Sequence, residues 1–176
     1  MKTNLKALEA AVAYVCGLNN GTIPEVALIK ILYEAERSAI TYSLYSITGD
    51  SFCAYTKGPV LNNLLSLIRG TGQISKKYGS EWKRFFELQP GKLPKVSLIA
   101  SPDMDEISEM DREYLSKAFC LYSRFLSDPT DSKLVHYAHK RYKEWVQKRH
   151  AIQKQDILRL HYGNSSNLDE LAALIS

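Results

Sequence analysis

The chain is poor in the residues that reactive sites are built from. Its three cysteines, Cys16, Cys53 and Cys120, are odd in number, far apart and without a C-x-x-C pair. That pattern argues against a disulfide framework and for a reduced setting with small buried thiols. No base is placed to activate Cys53, which lies between Phe52 and Ala54 in a packed-looking run. Neither G-x-S-x-G nor G-x-x-x-x-G-K-[ST] occurs, and Gly70-Thr71-Gly72 is too short to serve as either. His136 and His139 stand three apart with no second ligand pair and no H-E-x-x-H frame, so they read as structural. Asp103, Asp105 and Glu106 alternate but lack the glycine and distal glutamate of a calcium loop; they suit the acidic flank of a helix start. The expectation is a protein with no catalytic residues, no metal and no cofactor.

Long apolar runs are also missing. None approaches the ~18 residues of a membrane span, and Lys2, Lys6 and Glu9 interrupt any apolar core of a leader. A cytoplasmic protein with no membrane partner is expected. What remains is ordinary globular composition: 176 residues, 45% hydrophobic and 24% charged, enough for one domain with a real core. The net charge of +4 is modest. Lys140, Arg141, Lys143, Lys148, Arg149 and Lys154 gather against the single acid Glu144, the one candidate footprint for nucleic acid. A solvated helix face is the simpler account of it and the one preferred.

Leu5, Leu8, Val12 and Val15 predict a first helix, ended by Gly17 and Asn19-Asn20-Gly21. A second is expected to start near Thr22, with Pro24 in its first turn. It is apolar along both Leu28-Leu32-Ala35-Ala39 and Ile29-Tyr33-Ile40, which places it at the centre. A loop follows around Gly49-Asp50, then a short strand at Phe52-Cys53-Ala54-Tyr55 and a Gly58-Pro59 corner starting the next helix, which Gly70 stops. The pattern weakens over 71–92. Lys95-Val96-Ser97-Leu98-Ile99 reads as a second strand. Ser108 and Asp111 have capping-box spacing ahead of a Leu115, Phe119, Tyr122, Leu126 stripe. Asp128-Pro129-Thr130 breaks the chain before a helix carrying Leu134, Ala138, Arg141, Tyr142 and Trp145 on one side. A helix over 155–160 ends at Gly163, a hinge-like turn spans 164–167, and an amphipathic tail closes the sequence. The fold class expected is α+β and predominantly helical: a compact bundle of six or more helices with a small two- or three-stranded antiparallel sheet.

In order, several of these pieces resemble one family. Ile29-Lys30-Ile31-Leu32-Tyr33 is similar to the K-L-L-Y helix that opens the Panacea domain, also called SocA-like. Thr48-Gly49-Asp50-Ser51-Phe52-Cys53-Ala54 resembles its T-x-D-x-F-x-A strand entry, and Gly58-Pro59-Val60 its G-P-V corner. Leu134, His139 and Trp145 resemble its late helix, with a longer His-to-Trp spacing than usual, and 155–160 its closing helix. The likeness covers residues 5–163, so the organisation expected is one domain over 1–163 and a short tail over 164–176.

The resemblance implies an antitoxin that neutralises a cognate toxin protein by direct binding, and in one relative an adaptor that delivers its toxin to a protease. Tyr55, Lys57, Gly58, Pro59, Val60, His139, Tyr142 and Trp145 are then the recognition or scaffold residues. The alternatives kept beside it are a nucleic-acid-binding regulator using the basic cluster against DNA, and an adaptor or phage accessory protein that binds a host factor. A second copy of the chain is a further candidate partner.

Overall fold

A computed structural model describes residues 3–128, 130–146, 150–164 and 167–175. Pro129, Lys148, Arg149 and the Ser165-Ser166 part of the expected hinge lie outside those residues. Among the described residues there are eight α-helices and six strands, the strands forming two separate three-stranded antiparallel sheets. The α+β, predominantly helical class holds, with a second sheet that the sequence does not announce.

The first helix, α1 (Leu5–Leu18), is capped by the Asn4 side chain, which accepts from Ala7 N at 3.3 Å. Its small buried residues Ala7, Ala10, Ala11 and Ala13 let neighbouring helices approach closely. The expected second helix does not start at Thr22. Thr22–Pro24 is a strand, β1, paired with β5 (Lys95–Leu98), and the helix α2 (Glu25–Ser43) begins one residue after Pro24. Ile23, fully buried between these elements, gains more from strand pairing and burial than from a helical first turn. α2 is buried on nearly all its circumference, and its buried set includes Glu25, Lys30, Glu34 and Glu36 among the apolar residues.

Phe52–Tyr55 forms the expected strand, β2. Gly58-Pro59 does not start a helix: Gly58–Leu61 is β3, the return arm of a hairpin in which Tyr55 faces Gly58 and Phe52 faces Leu61. Pro59 can sit there because β3 is an edge strand, where a missing N–H leaves no ladder bond unmade. On the other side β2 pairs with β6 (His150–Ile152), a strand with too short an apolar pattern to read from sequence. The helix after the hairpin, α3 (Asn62–Arg69), ends as expected at Gly70, which takes a left-handed cap with φ 66°.

The start of α3 has no capping side chain of its own. Asp50 supplies it from the preceding loop, accepting from Asn63 N at 3.0 Å and Leu64 N at 2.9 Å, and from Ser51 N at 2.7 Å. Glu36, fully buried on α2, holds the same loop by accepting from Ser46 Oγ, from the backbone N–H groups of Ile47 and Thr48, and from Thr48 Oγ1. Burial pushes both carboxyls above their ordinary range, and these donors offset part of that rise.

The weakly patterned 71–92 segment folds as α4 (Gly72–Trp82) and the strand β4 (Phe86–Gln89). Only Gly79 and Trp82 of that helix are buried, which explains its faint apolar signal. β4 pairs with β5, completing a sheet of order β1-β5-β4. Beyond a short 3-10 turn at Met104–Glu106, α5 (Glu109–Ser123) starts with the reciprocal Ser108–Asp111 capping box. Cys16 is buried and Cys53 half-buried, but Cys120 is exposed, on the side of α5 opposite Leu115 and Tyr122. α6 (Ser132–Arg141) ends earlier than expected, before Tyr142 and Trp145. α7 (Lys154–Tyr162) and α8 (Leu168–Leu174) pack against each other, with Leu168, Ala172 and Ile175 buried. Among the described residues no helix is long and apolar enough to cross a membrane.

Asp50→Ala strands the N–H groups of Asn63 and Leu64 in a buried setting. A loss of about 3 kcal/mol is expected from urea unfolding, and a smaller one for Asp50→Asn, which keeps one acceptor.

Candidate functional site

Most of the residues singled out from the sequence lie around the hairpin turn at Thr56 and Lys57; Tyr142 lies further along α2, against Tyr33 and Glu34. The Trp145 indole donates to Tyr55 O at 2.8 Å and stacks on the His139 ring, with centroids 3.8 Å apart and planes 6° from parallel. His139 lies on α6 and Trp145 in the turn after it, so the pair clamps the hairpin from the side. The chain leaves the helix at Arg141 because Tyr142 and Glu144 are pulled inward. Tyr142 donates to Glu34 Oε2 at 2.8 Å, and Glu144 accepts from Tyr33 at 2.9 Å and from Arg37 Nε at 2.7 Å.

Gly58 shows why that corner is glycine. Its φ is +100°, and a Cβ there would meet Lys30 Nζ at 3.1 Å and His139 Cδ2 at 3.4 Å. The Lys30 ammonium, on α2, donates to Pro59 O at 2.6 Å from a position that is 1% exposed. Burial first, and the nearby Lys57 charge second, bring its pKa down to about 7. His139 is also pushed below its ordinary range, by burial and then by Lys30 and His136, against the raising effect of its bond with the Thr56 carbonyl.

Further along α2, Arg141 pairs with Glu34 through Nε at 3.0 Å and Nη2 at 2.5 Å. Tyr122 meets the Tyr142 hydroxyl, and Tyr33 packs edge-on against Tyr142 with centroids 4.8 Å apart. Burial raises the hydroxyl pKa of Tyr33, Tyr122 and Tyr142, so all three are donors at neutral pH. Lys30, Glu34, Arg37 and Glu144 were not among the site residues expected from the sequence. A signal existed: charged residues at 30, 34 and 37 repeat at helical spacing within a helix whose apolar residues cover most of its circumference.

The eight singled-out residues therefore divide. Lys57 is exposed, and Tyr55, His139 and Trp145 are half-buried, whereas Gly58, Pro59, Val60 and Tyr142 are buried. Two recesses flank Lys57. One of about 140 Å³ lies between α2, the hairpin and α3; the other, about 370 Å³, lies toward Asp131, Val135, His136 and His139. Of the described members of the basic cluster, Arg141 is engaged by Glu34, while Lys154 donates to Ile175 O. Among the described residues no group of three or more His, Cys, Asp or Glu side chains is placed to hold a metal ion.

The family model for SocA-like antitoxins, the Panacea domain, matches residues 28–146. The chain belongs to that family. No curated protein and no solved structure matches it. The matched stretch of the Panacea domain takes in most of α2, the hairpin, α6 and the Trp145 clamp. It is shorter than the 5–163 suggested by the motifs: α1, β1, β6, α7 and α8 fall outside. In this Panacea domain the T-x-D-x-F-x-A residues have plain structural work. Thr48 satisfies Glu36, Asp50 caps α3, and Phe52 and Ala54 point into the core.

Lys30 makes stability depend on pH with a definite sign. Its folded pKa is depressed, so between about 7 and its ordinary 10.5 the unfolded chain holds the extra proton and stability rises with pH. Below about 7 both states are protonated and the burial cost is constant. The unfolding free energy of the native chain relative to Lys30→Met is expected to rise by about 3 kcal/mol between pH 7 and about 9.5. Paired urea titrations at the two pH values measure it, and a flat difference overturns the assignment.

Proposed function

We propose that this chain is a cytoplasmic antitoxin that neutralises a cognate protein toxin by binding it directly, without catalysis. Membership of the SocA-like antitoxin family carries the reading. The unit that binds is taken as residues 1–163, with 164–176 as a short tail. The Lys57 turn is the contact region favoured by its geometry: Lys57 projects into solvent between two recesses, with Tyr55, His139 and Trp145 beside it. Gly58, Pro59 and Val60 act from beneath, holding the hairpin at its angle to α2 and α6, while Tyr142 ties the segment after α6 to Glu34. Half-buried aromatics on a rigid support suit protein recognition, because little side-chain freedom is lost on binding.

The test is co-expression with each neighbouring reading frame. One of those frames should arrest growth alone and be silent together with this chain, and the two proteins should co-purify. Lys57→Glu should leave the fold intact and weaken the complex about tenfold, as for a rim charge facing an unlike charge. Failure to rescue any toxic neighbouring frame sinks the proposal.

A further inference from the structure

The recess of about 140 Å³ between α2, the hairpin and α3 has a composition that goes beyond a passive dent. Its walls are Val26, Ile29, Val60 and Leu65, and its polar groups include three cations, Lys30, Lys57 and Arg69. No acid lines it among the described residues. The nearest acids are already committed or lie outside: Glu25 holds Arg69 Nε at 2.8 Å, and Asp131 faces Lys57 from the neighbouring recess. Lys30 is the unusual member. Its ammonium has three N–H bonds, and Pro59 O at 2.6 Å accepts one; the other two have no acceptor among the described residues. A buried cation short of acceptors is costly unless an anion joins it.

We propose that this recess receives an acidic side chain of the protein partner, its carboxylate against Lys30, Lys57 and the outer nitrogens of Arg69 and its methylene stem against Val26, Ile29, Val60 and Leu65. Charge complementarity selects an anion, and the apolar walls select one carried on a short aliphatic stem. The volume of about 140 Å³ admits such a group. Arg69 is pre-set for the role, since Glu25 fixes one edge of its guanidinium and leaves the other edge to a ligand. The assignment rests on the protein-binding reading above and gives that surface a specific demand: an Asp or Glu at the centre of the partner's contact patch.

Propionate, which reproduces a glutamate side chain from its Cβ outward, serves as the probe. It is titrated into the 15N-labelled chain at about pH 6 and constant ionic strength, with propionamide as the uncharged control and inorganic phosphate as a second anion. Saturating shifts confined to the amides of Lys30, Tyr55, Lys57, Val60, Leu65 and Arg69 are expected, with a Kd on the order of 10 mM. Lys57→Gln, which alters one exposed side chain and leaves the Glu25–Arg69 pair intact, should bind severalfold more weakly; Lys30→Met should not bind. Equal shifts with propionamide, no saturation, or saturation with phosphate alone each overturn the proposal. The titration needs no toxin, so its failure leaves the antitoxin reading standing, and a failed rescue leaves a positive titration standing.

Discussion

The architecture depends on one awkward fact: a central helix that carries Lys30, Glu34 and Glu36 into the interior. Each of these groups loses water on folding, and each would cost several kcal/mol if left without partners. The elements around α2 are arranged to meet them. The Pro59 carbonyl of the hairpin meets Lys30, Arg141 and Tyr142 meet Glu34, and the 46–48 loop meets Glu36. Arg37, partly exposed, reaches Glu144 on the far segment. The apolar core supplies the bulk of the driving force, but it is the polar set that fixes which hairpin edge and which face of α6 lie against which turn of α2.

That reading changes what the hairpin corner is for. Gly58 and Pro59 look like recognition residues by position, yet both are buried, and each has a task inside the fold. Gly58 makes room for the Lys30 ammonium and the His139 ring; Pro59 offers the carbonyl that Lys30 requires. The outward-facing part of the same corner is only Thr56 and Lys57, with the flanks of Tyr55, His139 and Trp145. A small exposed surface is thus held rigidly by a large hidden one, which is the arrangement a binding protein needs to limit the entropy lost on association.

What could be read from the sequence was whatever is encoded locally. The periodicity of α2, the capping box at Ser108 and Asp111, the glycine end of α3 and the strand at Phe52–Tyr55 are all signals within a few residues of the feature they specify. The features that escaped depend on distant partners. β1, β3 and β6 are three or four residues long and exist because Lys95–Leu98 and Phe52–Tyr55 offer them ladders. α6 ends at Arg141 without glycine or proline, and the chain turns there because Tyr142 and Glu144 must reach α2. Most of the singled-out residues do gather in one place, but which of them face solvent could not be known before the helix end was placed.

The polar centre also ties folding to recognition. Lys30 is both the ion that the hairpin must satisfy and part of the wall of the recess beside Lys57. Its burial depresses its pKa, and any anion entering the recess would raise it again, so occupancy and protonation must be linked reciprocally. An anionic ligand then stabilises the native chain by binding the folded form alone, and part of that binding free energy is relief of the cost that Lys30 imposes near neutral pH. A Panacea domain built this way would be at its least relieved when free and at its most stable when an acidic partner is seated, so a residue that costs the isolated fold stability is also one that rewards the complex.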